Sequence, residues 1–157
     1  MPARALQIDK KVPAFSRPST GGKSFKLADA AGKKLVLYFY PRDNTPGCTK
    51  EGEAFRDLYP AFKKAGAVVI GVSPDSLKSH EKFKEKMAFP FELLADEDLR
   101  LCELFDVYKE KSLYGRKYMG VERSTFLIDA KGVLKHEWRK VKVPGHADEV
   151  LTAVKAL

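Results

Sequence analysis

Two continuous apolar runs occur in the first half of the chain, at residues 34–40 and 67–72. Runs of this length without polar alternation are typical of strands that are buried on both faces of a sheet. Between them, Phe55, Leu58 and Phe62 recur at helical spacing. Acidic residues precede this pattern and two lysines and a glycine close it, which predicts a helix between the two strands.

The second half of the chain continues the alternation of strands and helices. Residues 16–23 are expected to form a loop, because they contain two glycines and Pro18. The order of elements predicts an α/β fold, with a central mixed β-sheet flanked by helices, and a thioredoxin-like arrangement fits it. The later elements are a helix at 76–87, a short strand at 91–95, a short helix at 97–105, a strand at 124–128, a hairpin partner at 133–138 and an amphipathic helix at 147–154.

Composition limits the class of protein. The 157 residues are the length of one domain, and 44% hydrophobic with 32% charged residues is ordinary for a globular protein. No apolar run approaches the roughly 20 residues that span a bilayer, and the N-terminus lacks the apolar stretch of a signal peptide. We therefore expect a single domain over residues 1–157, located in the cytoplasm.

The formal net charge of the chain is +8. Such a charge can attract nucleic acid or other anions without specificity. The lysines are interspersed with glutamates on predicted helix faces, for example at residues 82–86, which is typical of a solvated face. We expect no specific nucleic-acid partner and no membrane partner. A basic, non-enzymatic binding or holdase protein is kept as an alternative.

The chain contains two cysteines, Cys48 and Cys102, and three histidines. Two cysteines do not make a disulfide framework, and in a reducing compartment a cysteine is catalytic, metal-binding or simply buried. The two cysteines are far apart in sequence, and no histidine stands at zinc-ligand spacing from another candidate ligand. We therefore expect no metal site.

Cys48 occupies the junction between the first apolar strand and the helix that follows it. Loops beyond the carboxyl ends of strands are where α/β proteins bind ligands, and unpaired N–H groups at a helix start stabilise a thiolate. A helix end contributes only about 0.3–2 kcal/mol, so we expect a cation nearby as well. Arg42 is close in sequence. The plainer interpretation of Cys48 is an inert residue packed at a helix start.

Pro41, Thr45 and Cys48 form the pattern Pro-x-x-x-Thr-x-x-Cys. The longer string YFYPRDNTPGCTKEG, at residues 38–52, resembles the active-site segment of the peroxiredoxins, in particular the peroxiredoxin Q branch, also called bacterioferritin comigratory protein. The resemblance covers the chain from about residue 11 onward, which makes it far more specific than the short pattern alone. It continues through residues 109–112, 114–117, 121–129 and 141–146.

The resemblance implies a role for each matching residue. Cys48 falls on the peroxidatic cysteine, whose thiolate attacks the peroxide. Thr45 falls on the residue whose hydroxyl hydrogen-bonds the peroxide and the thiolate, and Pro41 on the residue that shields the site from over-oxidation. Arg123, just before the predicted strand 124–128, falls on the arginine that supports the thiolate and the transition state.

Two further residues match supporting positions. Glu51, one helical turn past Cys48, matches a position that orients the arginine in many members, and Tyr40 is a candidate for shaping the pocket. Each of these residues has a plainer interpretation. Arg123 is otherwise a surface arginine at a strand start, Glu51 is an acid that favours the helix dipole, and Tyr40 is an ordinary core residue.

The sequence departs from the branch at the resolving cysteine. Many members carry it five residues after the peroxidatic one, where this chain has Glu53. Others carry it in the next helix, but residues 76–87 contain none. Cys102 is the only other thiol. At helical spacing with Leu99 and Phe105 it is most simply a buried apolar residue, and a resolving role is the alternative.

The resemblance implies a thioredoxin-dependent peroxiredoxin that reduces hydrogen peroxide and organic hydroperoxides through a sulfenic acid on Cys48, with no metal or organic cofactor. Without a nearby resolving thiol, we expect an external thiol such as thioredoxin to regenerate Cys48 in a 1-Cys-like cycle. A thioredoxin-type disulfide reductase would need Cys-x-x-Cys, and Glu51 occupies the second position. No interface signal is evident, so we expect a monomer or a weak dimer.

Overall fold

The structure is a computed structural model, and it describes residues 6–157. Within them, the large sheet has the strand order β2-β1-β5-β4-β3-β8-β9, while β6 and β7 pair separately. The strands are β1 (Ser16–Ser19), β2 (Lys23–Lys26), β3 (Lys34–Phe39), β4 (Ala67–Ser73), β5 (Leu93–Ala95), β6 (Tyr108–Leu113), β7 (Arg116–Val121), β8 (Ser124–Ile128) and β9 (Leu134–Trp138). The helices are α1 (Pro46–Lys64), α2 (Leu77–Met87), α3 (Arg100–Leu104) and α4 (His146–Lys155).

Strand β3 lies inside the sheet, parallel to β4 on one side and antiparallel to β8 on the other. Val36 and Tyr38 pack into the hydrophobic cluster that includes α1 and α4, whereas Leu35 and Leu37 pack into a second cluster. Burial on both faces explains why this run is apolar without alternation. The mixed sheet flanked by helices confirms the predicted fold class.

The two faces of the sheet separate the two cysteines. Cys48 belongs to the cluster that contains Tyr38 and Phe55, on the α1 side of the sheet. Cys102 belongs to the opposite cluster, with Phe39 and Phe105. Since adjacent residues of β3 point to opposite faces, the whole thickness of the sheet lies between the two thiols.

Gly52 allows α1 to pack closely on the segment that follows α2. A β-carbon at this position would lie 2.4 Å from Cζ of Phe89. The ring of Phe89 contacts Phe83 at a centroid distance of 5.1 Å and stacks on Phe91 at 5.0 Å, so it has little room to retreat. The glycine therefore permits the depth at which the first turns of α1, including Cys48, enter the core.

The prediction of a loop at residues 16–23 is wrong. Residues 16–19 form strand β1, which pairs antiparallel with β2, and only the turn between the two strands is irregular. Gly21 and Gly22 have positive φ angles of 84° and 71°, which suits a tight hairpin turn. Pro18 is tolerated because the other side of β1 meets β5 at a single pair, Ser19 with Leu94.

The hairpin of β6 and β7 was not predicted. Most of its side chains are exposed, so the strands lack the apolar alternation that marks a half-buried sheet. The sequence signal that could have predicted the hairpin is the Tyr114-Gly115 pair, because glycine favours a two-residue turn. In the structure both residues have positive φ angles, of 51° and 77°. The hairpin leads directly into the segment that holds Arg123.

The remaining elements agree with the predicted ones within a few residues. The strand expected at 91–95 begins only at residue 93, and the helix expected at 97–105 is the short α3. No helix of residues 6–157 combines the length and the apolar character needed to cross a bilayer.

Candidate active site

Cys48 lies in the first turn of α1, which begins at Pro46 with Thr45 as the N-cap residue. Proline suits this position because the first helical N–H groups have no intrahelical partner. The same unpaired N–H groups give the helix start a partial positive charge. Cys48 is 2% exposed, so its sulfur meets this charge with little screening by water.

Arg123 is the cation beside the sulfur. Its side chain, 17% exposed, reaches from the segment between β7 and β8 to the start of α1. Nη2 donates to Sγ of Cys48 at 3.4 Å, and Nη1 donates to Oε1 of Glu51 at 2.6 Å. A β-carbon at Gly47 would lie 3.1 Å from Nη2, so the glycine leaves room for the guanidinium. Arg42 is exposed, so the sequence neighbour is not the buried cation.

Glu51 is buried and holds the other end of the Arg123 guanidinium. Burial raises the pKa of Glu51 to about 7, and the attraction of Arg123 opposes this shift. Oε2 of the same carboxyl group has no hydrogen-bond partner among the described residues. The carboxylate therefore orients Arg123 when it is ionised, and its ionisation changes near neutral pH.

We expect this ionisation to appear in the pH profile of the reaction. As the pH falls through about 7, Glu51 takes up a proton and its attraction for Arg123 weakens. The second-order rate constant for oxidation of Cys48 should then fall about 5-fold, the equivalent of roughly 1 kcal/mol of lost charge-assisted hydrogen bonding. Stopped-flow oxidation from about pH 5.5 to about pH 8.5, roughly 1.5 units either side of the pKa of Glu51, measures this step.

The Glu51→Gln variant is the matched control for the pH profile. Glutamine keeps the shape of the side chain and an acceptor oxygen but has no proton to gain. The variant should stay near the lower, acid-side rate of the wild type and should lose the step near neutral pH. A step of the same size in Glu51→Gln would show that another group causes it.

Thr45 and Pro41 belong to the loop between β3 and α1 that leads to the sulfur. Oγ1 of Thr45 donates its proton to the carbonyl oxygen of Arg42 at 2.9 Å. The hydroxyl oxygen can still accept a hydrogen bond, because a hydroxyl carries two lone pairs. Both Thr45 and Pro41 are half-buried, so the structure places them at the edge of the site and not in the core.

Tyr40 is a core residue that also supports the loop. It is 1% exposed and shares the cluster of Cys48. Its hydroxyl donates to Oδ1 of Asp43 at 2.6 Å, and its ring stacks on Tyr38 at a centroid distance of 5.6 Å. Tyr40 is therefore an ordinary core residue whose hydroxyl also supports the loop that shapes the site.

Tyr38 was missed by sequence reasoning. Its hydroxyl is buried and has no hydrogen-bond partner in the part of the chain that the structure describes. Burial raises the pKa of Tyr38, and the charges of Glu51 and Cys48 raise it further, so the phenol is within electrostatic reach of these two groups. The signal was its spacing: Tyr38 on β3 and Tyr40, one residue past its end, are two residues apart, and both side chains lie in the Cys48 cluster.

Cys102 is far from this group. Its side chain is fully buried, and burial raises the pKa of its thiol well above the usual range, with Asp96 adding to the shift. Its backbone N–H donates to Oδ2 of Asp96 at 2.7 Å. The structure does not bring Cys102 together with Cys48.

Among the described residues, Asp43, Asp75 and His80 have the spacing of metal ligands, with one ligand atom of each within 4.8 Å of the others. Their ligand atoms already take part in hydrogen bonds with one another and with neighbouring hydroxyl groups. The adjoining groove is lined by lysines of α2, whose charge disfavours a cation. These observations favour a hydrogen-bond network over a metal centre.

Comparison with known proteins places this geometry in a family. The family model described as "AhpC/TSA family" matches residues 8–137. Peroxiredoxin Bcp of Bacillus subtilis (strain 168) is 52% identical over 150 residues, which cover 96% of this chain and 96% of that protein. Peroxiredoxin Bcp of Xanthomonas campestris is 55% identical over 137 residues, 87% of this chain and 86% of that protein.

Solved structures agree with the sequence comparison. A structure of Xanthomonas campestris peroxiredoxin Q has a TM-score of 0.86 and 53% identity, and the match covers 90% of each chain. A mutant of Xylella fastidiosa peroxiredoxin Q has a TM-score of 0.92 and 44% identity over 98% of each chain. The chain therefore belongs to the AhpC/TSA family, as a thiol-dependent peroxidase of the Bcp or peroxiredoxin Q branch.

Proposed function

We propose that this chain reduces hydrogen peroxide and organic hydroperoxides through a sulfenic acid on Cys48. The observation that carries the proposal is the Arg123 guanidinium, which bridges Sγ of Cys48 and Oε1 of Glu51. A buried thiolate beside a cation and a helix start is the nucleophilic form of cysteine. No other cysteine of the sequence has such neighbours, since Cys102 lies among apolar side chains.

The proposed reaction is an in-line displacement on the peroxide. The thiolate sulfur attacks the distal oxygen, a sulfur–oxygen bond forms and the oxygen–oxygen bond breaks. The leaving alkoxide or hydroxide takes a proton from solvent and departs as an alcohol or water, while Cys48 is oxidised to the sulfenic acid. Donors that already point at the leaving oxygen stabilise its developing negative charge.

Three groups of this chain are suited to bind the reacting oxygens. Arg123 and the backbone N–H of Cys48 are donors at the sulfur. The Thr45 hydroxyl can accept a hydrogen bond from the incoming peroxide while it donates to the loop. Pro41 would limit the access of water to the sulfur from the loop side. For organic peroxides, support comes from a Xanthomonas campestris relative whose structures are described as giving insight into alkyl peroxide reduction activity.

We propose a 1-Cys cycle for the regeneration of Cys48. An external thiol attacks the sulfenic acid, water leaves and a mixed disulfide forms; a second thiol then releases Cys48 and departs as the oxidised disulfide. The 1-Cys cycle is supported by the full burial of Cys102 on the opposite face of the sheet and by Glu53, which stands at the usual resolving position. Thioredoxin is the external reductant that we propose.

The proposed cycle predicts that Cys102→Ala keeps full turnover with thioredoxin, because Cys102 forms no bond with Cys48 during catalysis. After one equivalent of hydroperoxide, non-reducing mass spectrometry should find one added oxygen on Cys48 in both wild type and variant. Steady-state turnover of the two proteins should agree within about 2-fold, the range of a packing effect alone.

A Cys48–Cys102 disulfide in the wild type, together with lost turnover in Cys102→Ala, would establish the 2-Cys alternative instead. That alternative needs the sheet or its helices to open, since a disulfide requires the two α-carbons to come within roughly 7 Å. The basic, non-enzymatic alternative has no specific observation in its favour, because the buried site residues are those of the peroxidase family.

We further propose that residues 1–157 act as one thioredoxin-like domain in the cytoplasm, as a monomer or a weak dimer. Both hydrophobic clusters pack on the same seven-stranded sheet, which supports a single folding unit. A reducing compartment supplies the thiols that the cycle consumes. Sedimentation at several protein concentrations measures the oligomeric state.

A further inference from the structure

The loop that carries Pro41 and Thr45 is held to the core by one buried side chain, Asp43. Oδ1 of Asp43 accepts from the Tyr40 hydroxyl at 2.6 Å, and Oδ2 accepts from the Ser79 hydroxyl at 2.8 Å. Its backbone N–H donates to Asp75 at 2.8 Å, just after the end of β4. The carboxylate thus connects the loop to the end of β3 and to α2, and the backbone N–H of Asp43 connects it to the segment after β4.

His80 of α2 completes this set of contacts. Its ring is fully buried, with Nδ1 at 2.7 Å from Oδ2 of Asp43 and Nε2 at 2.8 Å from the carbonyl oxygen of Leu94. A carbonyl oxygen can only accept, so Nε2 carries a proton. Nδ1 faces Oδ2 of Asp43, the same carboxyl oxygen that accepts from Ser79.

The loop makes few contacts to the core besides those of Asp43. Asn44 has a left-handed φ of 61°, which asparagine adopts more readily than most residues with a side chain, and it forms the turn of the loop without fixing the loop to the core. The Thr45 hydroxyl bonds within the loop, to Arg42, and Lys86 bonds Asn44 at the exposed surface. The buried contacts of Asp43 are therefore the ones that tie the loop to the rigid part of the fold.

We propose that His80 is a positioning residue of the peroxidase site: it holds the Asp43 carboxylate and thereby sets where Pro41 and Thr45 stand relative to Cys48. This inference rests on the proposed function, because it assigns His80 a part in the same reaction. His80 does not touch the sulfur and acts through the loop. A misplacement of about 1 Å in reacting groups can cost on the order of 100-fold in rate.

Two substitutions of His80 separate its two hydrogen bonds. The side-chain amide of His80→Asn places its N–H group where Nδ1 stands, so it keeps the bond to Asp43 and loses the one to Leu94. The longer side chain of His80→Gln reaches the Nε2 position, so it keeps the bond to Leu94 and loses the one to Asp43. Each variant leaves one buried acceptor without its donor, so the two variants should lose similar amounts of folding free energy.

The rate of Cys48 oxidation by hydroperoxide, measured by stopped flow, should distinguish the two variants. We expect His80→Gln to react about 10- to 100-fold more slowly than the wild type, and His80→Asn to react within about 3-fold of it. The decrease should lie in the second-order rate constant for the reaction of Cys48 with peroxide. The rate constant for reduction of the sulfenic acid by thioredoxin should stay unchanged. Amide hydrogen exchange at residues 42–45 should speed up in His80→Gln alone.

Ser79→Ala gives a milder test if a His80 variant does not fold. It removes one hydrogen bond from Asp43 at a half-buried position, and we expect a decrease of about 2- to 5-fold in the same rate, from roughly 0.5–1 kcal/mol of lost hydrogen bonding. Lys82→Ala, exposed on the same helix, should react as the wild type does.

Equal rates in wild type, Ser79→Ala and whichever His80 variants fold would overturn the positioning role. Slow oxidation in His80→Asn and His80→Gln alike, with unchanged exchange at residues 42–45, would also overturn it and assign His80 to stability alone. A wild type whose Cys48 is not oxidised by peroxide would instead overturn the proposed function, so the two failures are distinguishable.

Discussion

Cys48→Ser is expected to abolish hydroperoxide consumption, with a decrease of at least about 1000-fold in the rate of peroxide loss. A serine hydroxyl at this position stays protonated near pH 7. Its oxygen is also not oxidised by a peroxide, whereas the sulfur of cysteine is oxidised to a sulfenic acid. Serine is close to cysteine in size, and the site is buried, so the fold should persist. Stopped-flow measurement of peroxide consumption at equal protein concentration gives the rates.

Cys102→Ala is the matched control for this experiment, because it removes the other thiol of the chain. If Cys102→Ala consumes peroxide as fast as the wild type while Cys48→Ser does not, the activity belongs to Cys48. Equal rates in Cys48→Ser and wild type would refute the assignment of Cys48 as the nucleophile.

The second large effect is expected at Arg123. Arg123→Met keeps most of the length of the side chain but removes the charge and both donors, so oxidation of Cys48 should slow by about 100- to 1000-fold, the range found for loss of one preorganised donor. Arg123→Lys keeps the charge on a single nitrogen, which cannot bridge Sγ of Cys48 and Oε1 of Glu51 as two guanidinium nitrogens do. We expect its rate to lie between those of Arg123→Met and wild type.

Removing Arg123 also leaves the Glu51 carboxylate buried without its partner. Part of any loss could then come from this carboxylate and not from the missing donors. The double variant Arg123→Met with Glu51→Gln separates the two causes. If the double variant stays as slow as Arg123→Met, the donors of Arg123 account for the effect. A single variant within about 2-fold of wild type would exclude Arg123 from the reaction.

Much of the fold followed from local pattern. The apolar run at 34–40, the helical spacing after Cys48 and the run at 67–72 correspond to β3, α1 and β4. The two strands are buried on both faces and the helix on one continuous face, so their sequences show unbroken apolar runs and a helical period. The same reasoning failed at residues 16–23 and at β6 and β7, because these short or exposed strands carry turn residues and polar side chains instead of such patterns.

The candidate site was predicted in part. Proximity of Cys48 and Glu51 follows from one helical turn, and the strand-to-helix junction follows from the change of period. Arg123 was expected at the sulfur only because of a family resemblance, since it lies 75 residues further along the chain. Tyr38 and His80 were missed because their signals, a hydroxyl without a partner and a carbonyl facing Nε2, exist only after folding.

By itself, the sequence determined that Cys48 stands between a buried strand and the start of a helix, because both elements are encoded by neighbouring residues. The tertiary structure decided which charges meet there and on which side of the sheet each thiol lies. Antiparallel pairing of β3 with β8 brings Arg123 to the helix start, and the packing of α3 after β5 places Cys102 in the opposite core. Contacts across such sequence distances depend on the register and packing of whole elements, which no local pattern specifies.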